Sequence, residues 1–238
     1  MTTTTPPTAP TPDLAATDPA PPYTRAIQVA AGACLVLAGL LNGLPQYVGS
    51  QLTGDLDFSD QIVWGTTHEL AHRSEQSLIL LSSLFLPLGL LGLAQVTRWY
   101  SRRLTLVAAP LVLWGMWGFH NVLAFGYVSG TIAPTVLPVA DAVTLNDALV
   151  SDPGSVAMAL VPHLVGSFFG LLLLMVAAWR TGVLPRAACA LVVAFLVWDF
   201  LLPTAGPAEP HLLLAIGFVW LGIRVGRLAP REWAPRSY

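Results

Sequence analysis

The segment His68-Glu69-Leu70-Ala71-His72 holds two imidazoles four residues apart with a carboxylate beside the first. On a continuous helix, His at i and i+4 share a face and chelate one zinc, and the Glu activates a bound water. In these five positions the segment resembles the zincin motif, which implies His68 and His72 as ligands and Glu69 as the catalytic base. Glu75 lies seven residues beyond His68, on the same predicted face, and is the candidate third ligand. The same residues also read as a helix start. Thr66 and Glu69 have the spacing of a capping box, and an acidic residue suits a helix N-terminus.

A second set of chemistry-bearing residues is spread through apolar sequence. His120, His163, Asp199 and Asn42 each fall within a long hydrophobic run. Ionisable groups inside a membrane span are expensive and mark function. Counted at 1.5 Å per residue, His120 and His163 sit roughly 6 Å, and Asp199 and Asn42 roughly 7 Å, from their span centres toward one side. Ser167 follows His163 by one helical turn, and Gln46 follows Asn42 by one turn. Pro162 frees the carbonyl of Met158 to accept a side-chain hydrogen bond. Two readings stay open for this layer. It is an interhelical network that fixes packing, or it is a site. As a site, His120, His163 and Asp199 would ligate zinc, with Asn42 and Ser167 as polar support and His68, His72 and Glu75 as the rival set. Alternatively, His120 and His163 would be axial ligands of a b-type haem. The nearest analogy for the first is the intramembrane zinc hydrolases that draw His and Asp from separate helices.

The elements that must position these groups are helices in a bilayer. The chain has 238 residues, 55% hydrophobic and 10% charged, against about 25% charged in a soluble domain. Net charge is −2 and all eleven basic residues are Arg, so no basic field recruits nucleic acid. A hydrocarbon core of about 30 Å needs about 20 apolar residues per helix. Six runs qualify, approximately Ala26–Val48, Glu75–Thr97, Leu104–Ser129, Val156–Trp179, Pro185–Leu202 and His211–Leu228. The predicted fold is all-α, a polytopic transmembrane helical bundle of about six spans.

Arginines fix its orientation. Arg25, Arg98, Arg102, Arg103, Arg180, Arg186, Arg224, Arg227, Arg231 and Arg236 flank one set of span ends; the other set has Arg73 alone. Basic residues near span ends stay cytoplasmic, which places both termini inside a cell membrane and all five histidines toward the outside. Residues 1–24, rich in Thr, Pro and Ala, read as a disordered cytoplasmic tail. Residues 25–229 form the transmembrane domain and 230–238 a short cytoplasmic tail. Of the two longer outer loops, one carries Ile62, Val63 and Trp64 at the interface. The other has a short amphipathic helix over 139–150. Gly39/Gly43, Gly166/Gly170 and Gly222/Gly226 let helices within the chain pack closely.

The stretch Arg180-Thr181-Gly182-Val183-Leu184-Pro185-Arg186 looks like a loop common in uncharacterised polytopic membrane proteins of high-GC bacteria. That resemblance covers the layout and this loop, and it implies a class without an assigned activity. Membrane enzyme, haem-binding redox subunit, and transporter or accessory subunit are the three functional expectations. The expected partner is the lipid bilayer.

Overall fold

The computed structural model describes residues 22–54, 56–202 and 209–233. The expected N-terminal tail up to residue 21, Asp55 and residues 234–238 lie outside the described residues. The structure is 91% helix, and no strand occurs among the described residues. Helix α1 spans Pro22–Thr53, α2 Phe58–Thr67, α3 Glu69–Tyr100 and α4 Arg102–Tyr127. After α4 come a π-helical turn and a short 3-10 turn, then α5, Val139–Ser151. A single turn, α6 (Pro153–Ser155), leads through two π-helical stretches, Val156–Leu160 and Pro162–Ser167, into α7, Phe168–Arg180. The chain closes with α8 (Arg186–Leu201), α9 (His211–Arg227) and α10 (Pro230–Trp233).

Four helical stretches are long and apolar enough to cross a membrane: Thr24–Thr53, Glu69–Tyr100, Arg102–Thr135 and Pro153–Arg180. Helices α8 and α9, at 16 and 17 residues, are shorter. The long helices overrun the predicted spans: α1 continues through Pro45 and Gly49 to Thr53, and α3 begins at Glu69, ahead of Glu75.

The helices pack as a ring in which α1 touches α3, α3 touches α4, and α4 touches the 153–180 helix; α7 then touches α8, α8 touches α9, and α9 closes on α1. Leu35, Leu90, Leu93, Leu174, Leu196 and Phe218 fill the interior. Large apolar side chains also face outward, among them Leu88 at 55% and Leu106 at 64% exposed. A continuous apolar exterior of that kind suits lipid rather than water.

Small residues let the ring close tightly, within the chain as expected. Gly39 and Gly43 meet Ala215, and Gly222 meets Gly32. The tightest seam joins α4 to the π-helical stretch. A Cβ on Gly118 would lie 2.5 Å from the Ala159 carbonyl oxygen and closer still to the His163 amide nitrogen.

One end of the ring is tied together by arginines and their acceptors. Arg25 donates to the Leu228 carbonyl and Arg224 to the Val183 carbonyl, while Gln28 bonds the carbonyls of Val225 and Leu228. Between α7 and α8 the chain turns at Gly182, whose φ of +70° is open to glycine. Thr181 Oγ1 accepts the amides of Val183 and Leu184 in that turn. The start of the predicted C-terminal tail is not free. Trp233 is buried in the main core and Glu232 pairs with Arg224 at 3.1 Å.

At the opposite end, the two longer loops fold onto each other. The amphipathic helix appears as α5. Ile62 does not lie at the lipid interface as expected; it is buried in a small separate core with Ala133 and Ala142. An apolar side chain in α2 finds a protein partner there because α5 presents Ala142 and Val143 to it.

Candidate functional site

A cavity of about 190 Å³ lies inside the ring, and each of the six ring helices contributes to its wall. From α1 come Asn42 and Gln46, from α3 Leu86, and from α4 Met116 and Phe119. The π-helical stretch and α7 give His163, Ser167 and Leu171. Helix α8 adds Phe195, Asp199 and Phe200; α9 adds His211, Leu214 and Phe218. Three of the four polar groups expected to share a layer, Asn42, His163 and Asp199, therefore converge, together with Ser167.

The backbone at His163 explains how that side chain reaches the cavity. Pro162 removes one helical amide, and the helix widens into π turns on both sides of it. Single π turns inside α-helices commonly accompany functional sites. The freed Met158 carbonyl accepts Asn121 Nδ2 at 3.3 Å, as the sequence predicts for some side chain. His163 Nδ1 shares a hydrogen bond of 3.2 Å with Ser167 Oγ. Its ring lies between Phe119 and Phe200, with centroids 5.3 and 5.6 Å away.

The carboxylate of Asp199 makes no hydrogen bond among the described residues, although it lies within electrostatic reach of His211 and Glu209. The His211 ring is already engaged: its Nδ1 makes a close contact with Glu209 Oε1, and Phe195 stands 5.0 Å from it edge-on. Burial alone pushes the Glu209 carboxyl up. The ring and the backbone amide of His211 both hydrogen-bond that carboxylate and more than reverse the effect, so it ends below its ordinary range.

His120 takes a different place. Its Nδ1 bonds Ser83 Oγ at 2.7 Å, and it does not line the cavity. Next to Ser83, Ser82 accepts from Asn42 Nδ2 at 3.4 Å, and Gln46 Nε2 donates to Asn42 Oδ1 at 3.1 Å. A polar seam thus runs from α1 through α3 to α4. Neither serine, nor the place of His211 in the site, was among the sequence-based expectations. The adjacent Ser82-Ser83 pair within an apolar span was the available signal for the first. Nothing local signals the second, since His211 begins its helix and turns inward only because α9 packs on α1 and α8.

The HELAH segment is not one continuous helix. His68 has φ −123° and ψ 44°, outside the helical region, and separates α2 from α3. Its ring stacks on Trp64 at 4.6 Å and its Nδ1 lies 3.1 Å from the Trp64 carbonyl oxygen. His72 turns instead to the Gly130 carbonyl and the Thr131 hydroxyl, each at 3.3 Å. Glu69 forms an exposed ion pair with Arg73. Glu75 packs against Gly49 of α1, on a groove that neither histidine lines. The His68 carbonyl still accepts the His72 amide at 3.0 Å, but the two rings are held by different partners, His68 by Trp64 and His72 by Gly130 and Thr131. The capping box is also absent: Thr66 Oγ1 bonds the Val63 carbonyl, and α3 has no side-chain cap.

No protein-family model, curated protein or solved structure matches the chain. The chemistry is therefore read from the geometry alone. Among the described residues no three His, Cys, Asp or Glu side chains come together so as to hold a metal ion. The set His120, His163 and Asp199 is divided by the Ser83 bond. What does converge is acid–base and aromatic: one carboxylate without a hydrogen bond from the described residues, two imidazoles, two side-chain amides, a hydroxyl and several phenyl rings around a small space.

Proposed function

We propose that the chain is a multi-pass protein of the cell membrane with six spans and both termini cytoplasmic, whose central cavity binds a small molecule at an acid–base site in the outer half of the bilayer. Its environment is the lipid bilayer. The observation that carries the reading is the cavity itself, to which all six ring helices contribute and on which Asn42, His163, Asp199 and His211 converge. Small-molecule sites combine an apolar wall with a few convergent polar groups, and intramembrane ionisable residues face such cavities.

The ring supports the six-span reading. Helices α8 and α9 complete the ring, and at 1.5 Å per residue they extend about 24–26 Å, most of the roughly 30 Å hydrocarbon core. The arginine-tied end then faces the cytoplasm. A zinc-enzyme reading has less support, because His120 is held by Ser83. So has a b-haem reading, because the same bond takes one axial candidate. The cavity is also smaller than the roughly 300–1,000 Å³ of ordinary ligand pockets.

Cysteine accessibility tests the reading. In a Cys34→Ala/Cys189→Ala background, Ser167→Cys should react with a small water-soluble thiol reagent added outside intact cells, and Leu174→Cys, buried in the core, should stay inert. A Ser167→Cys variant that is as unreactive as Leu174→Cys defeats the cavity reading.

A further inference from the structure

We propose that the molecule held in the central cavity is a small organic cation, an alkylammonium ion of about four to six heavy atoms. This rests on the cavity's being a binding site.

Charge is the first argument. Asp199 is the carboxylate that lines the cavity, and no hydrogen bond reaches it from the described residues. No arginine lines the same space. Of the two imidazoles there, His211 is engaged by Glu209, so any positive charge it carries is already balanced. His163 is hydrogen-bonded to the Ser167 hydroxyl and flanked by two phenyl rings, so its neighbours are neutral groups. A carboxyl at this depth in a bilayer is costly to ionise, and a cation beside it offsets that cost. Among the described residues that line the cavity no free cationic side chain fills that role, and a bound cation would.

The walls are the second argument. Phe119, Phe195, Phe200 and Phe218 all border the cavity. Phenyl faces attract cations, and most strongly organic ammonium ions, whose methyl groups also gain from apolar contact. Inorganic cations need oxygen ligands in number, and this wall offers few: the Asp199 carboxylate, the side-chain amides of Asn42 and Gln46, and the Ser167 hydroxyl. Ring and carboxylate together select an organic cation over a metal ion and over an anion.

Size is the third. A volume near 190 Å³ is below the roughly 300–1,000 Å³ of ordinary ligand pockets. That suits trimethylammonium or tetramethylammonium, of four and five heavy atoms, better than a ligand of drug size.

The test uses full-length protein in lipid nanodiscs and titration calorimetry with tetramethylammonium and trimethylammonium chloride. Acetate and tert-butanol serve as the anionic and neutral controls. Saturable binding of at least one ammonium ion is expected, with neither control bound. Asp199→Asn should weaken it at least tenfold. Phe200→Leu keeps the apolar bulk, loses the π face, and should weaken it by on the order of twofold to fivefold, the loss of one cation–π contact. It guards against an Asp199→Asn protein that fails to fold. No ammonium binding by a protein whose Ser167→Cys variant is reactive overturns the cation assignment and leaves the cavity reading standing. An unreactive Ser167→Cys removes both. Binding that Asp199→Asn and Phe200→Leu leave unchanged also overturns the assignment.

Discussion

Removing the Ser83 hydroxyl leaves the His120 ring without its 2.7 Å partner. Within a bilayer no water replaces such a bond, and interhelical hydrogen bonds of this kind contribute about 0.6 kcal/mol on average and up to about 1.7. Ser83→Ala should therefore lower unfolding stability in detergent by an amount in that range. In a double-mutant cycle with His120→Ala the two losses should overlap; strictly additive losses would show that the bond contributes nothing. Glu209 gives a pH signature. Its carboxyl is held below its ordinary range by His211, so its stabilising effect is fully present above that range. The effect is lost as pH falls through the depressed folded value. The groups facing it are His211 on α9 and Asp199 on α8. Glu209→Gln should flatten the acid limb of a stability-versus-pH curve, and an unchanged limb would assign that limb to other carboxylates.

The seam between α4 and the π-helical stretch is where element packing is least forgiving. At Gly118 the neighbours are backbone atoms of Ala159 and His163, which cannot rotate away as a side chain can. Overpacking generally costs about 1–3 kcal/mol, and here the displaced group is the segment that carries His163 into the cavity. Gly118→Val should reduce the yield of monodisperse protein on size exclusion. Gly126→Ala, on the same helix with no atom within 4 Å of its added Cβ, should behave as wild type. Equal behaviour of the two would mean that the seam has room to open. The helix break at His68 belongs to this scale too. The spacing of HELAH suits a zinc helix, but the Trp64 stack and the Trp64 carbonyl capture His68, and Gly130 and Thr131 capture His72. Spacing fixes a shared face only where the helix is continuous.

Across the whole molecule the topology is open to direct test. With six spans and both ends inside, cysteines at Asp57 and Asp147 should label with an impermeant reagent in intact cells, and one at Ser101 should not. Reversed labelling sinks the orientation. Deleting residues 2–20 should leave membrane accumulation intact, since the sequence there has no apolar face to pack; loss of accumulation would refute it.

The helical class and the apolar spans could be read from the sequence, because long runs of apolar residues in a bilayer leave the backbone only one way to bond itself. The pairing of Gln46 with Asn42, the acceptor at Met158 and the intramolecular role of the glycines were legible for the same local reason: each depends on helical periodicity or on a proline within one helix. Depth was legible as well, since it is a count of residues, and it brought Asn42, His163 and Asp199 to one level. Azimuth was not. Which side of a helix faces the ring axis depends on its neighbours, and this separated His120, turned to Ser83, from His163, turned to the cavity. It also brought His211 inward, through the closing of α9 on α1, and placed Trp233 in the core. Depth follows from position along one helix, whereas convergence follows from the rotation of six helices about their own axes, which only their mutual packing decides.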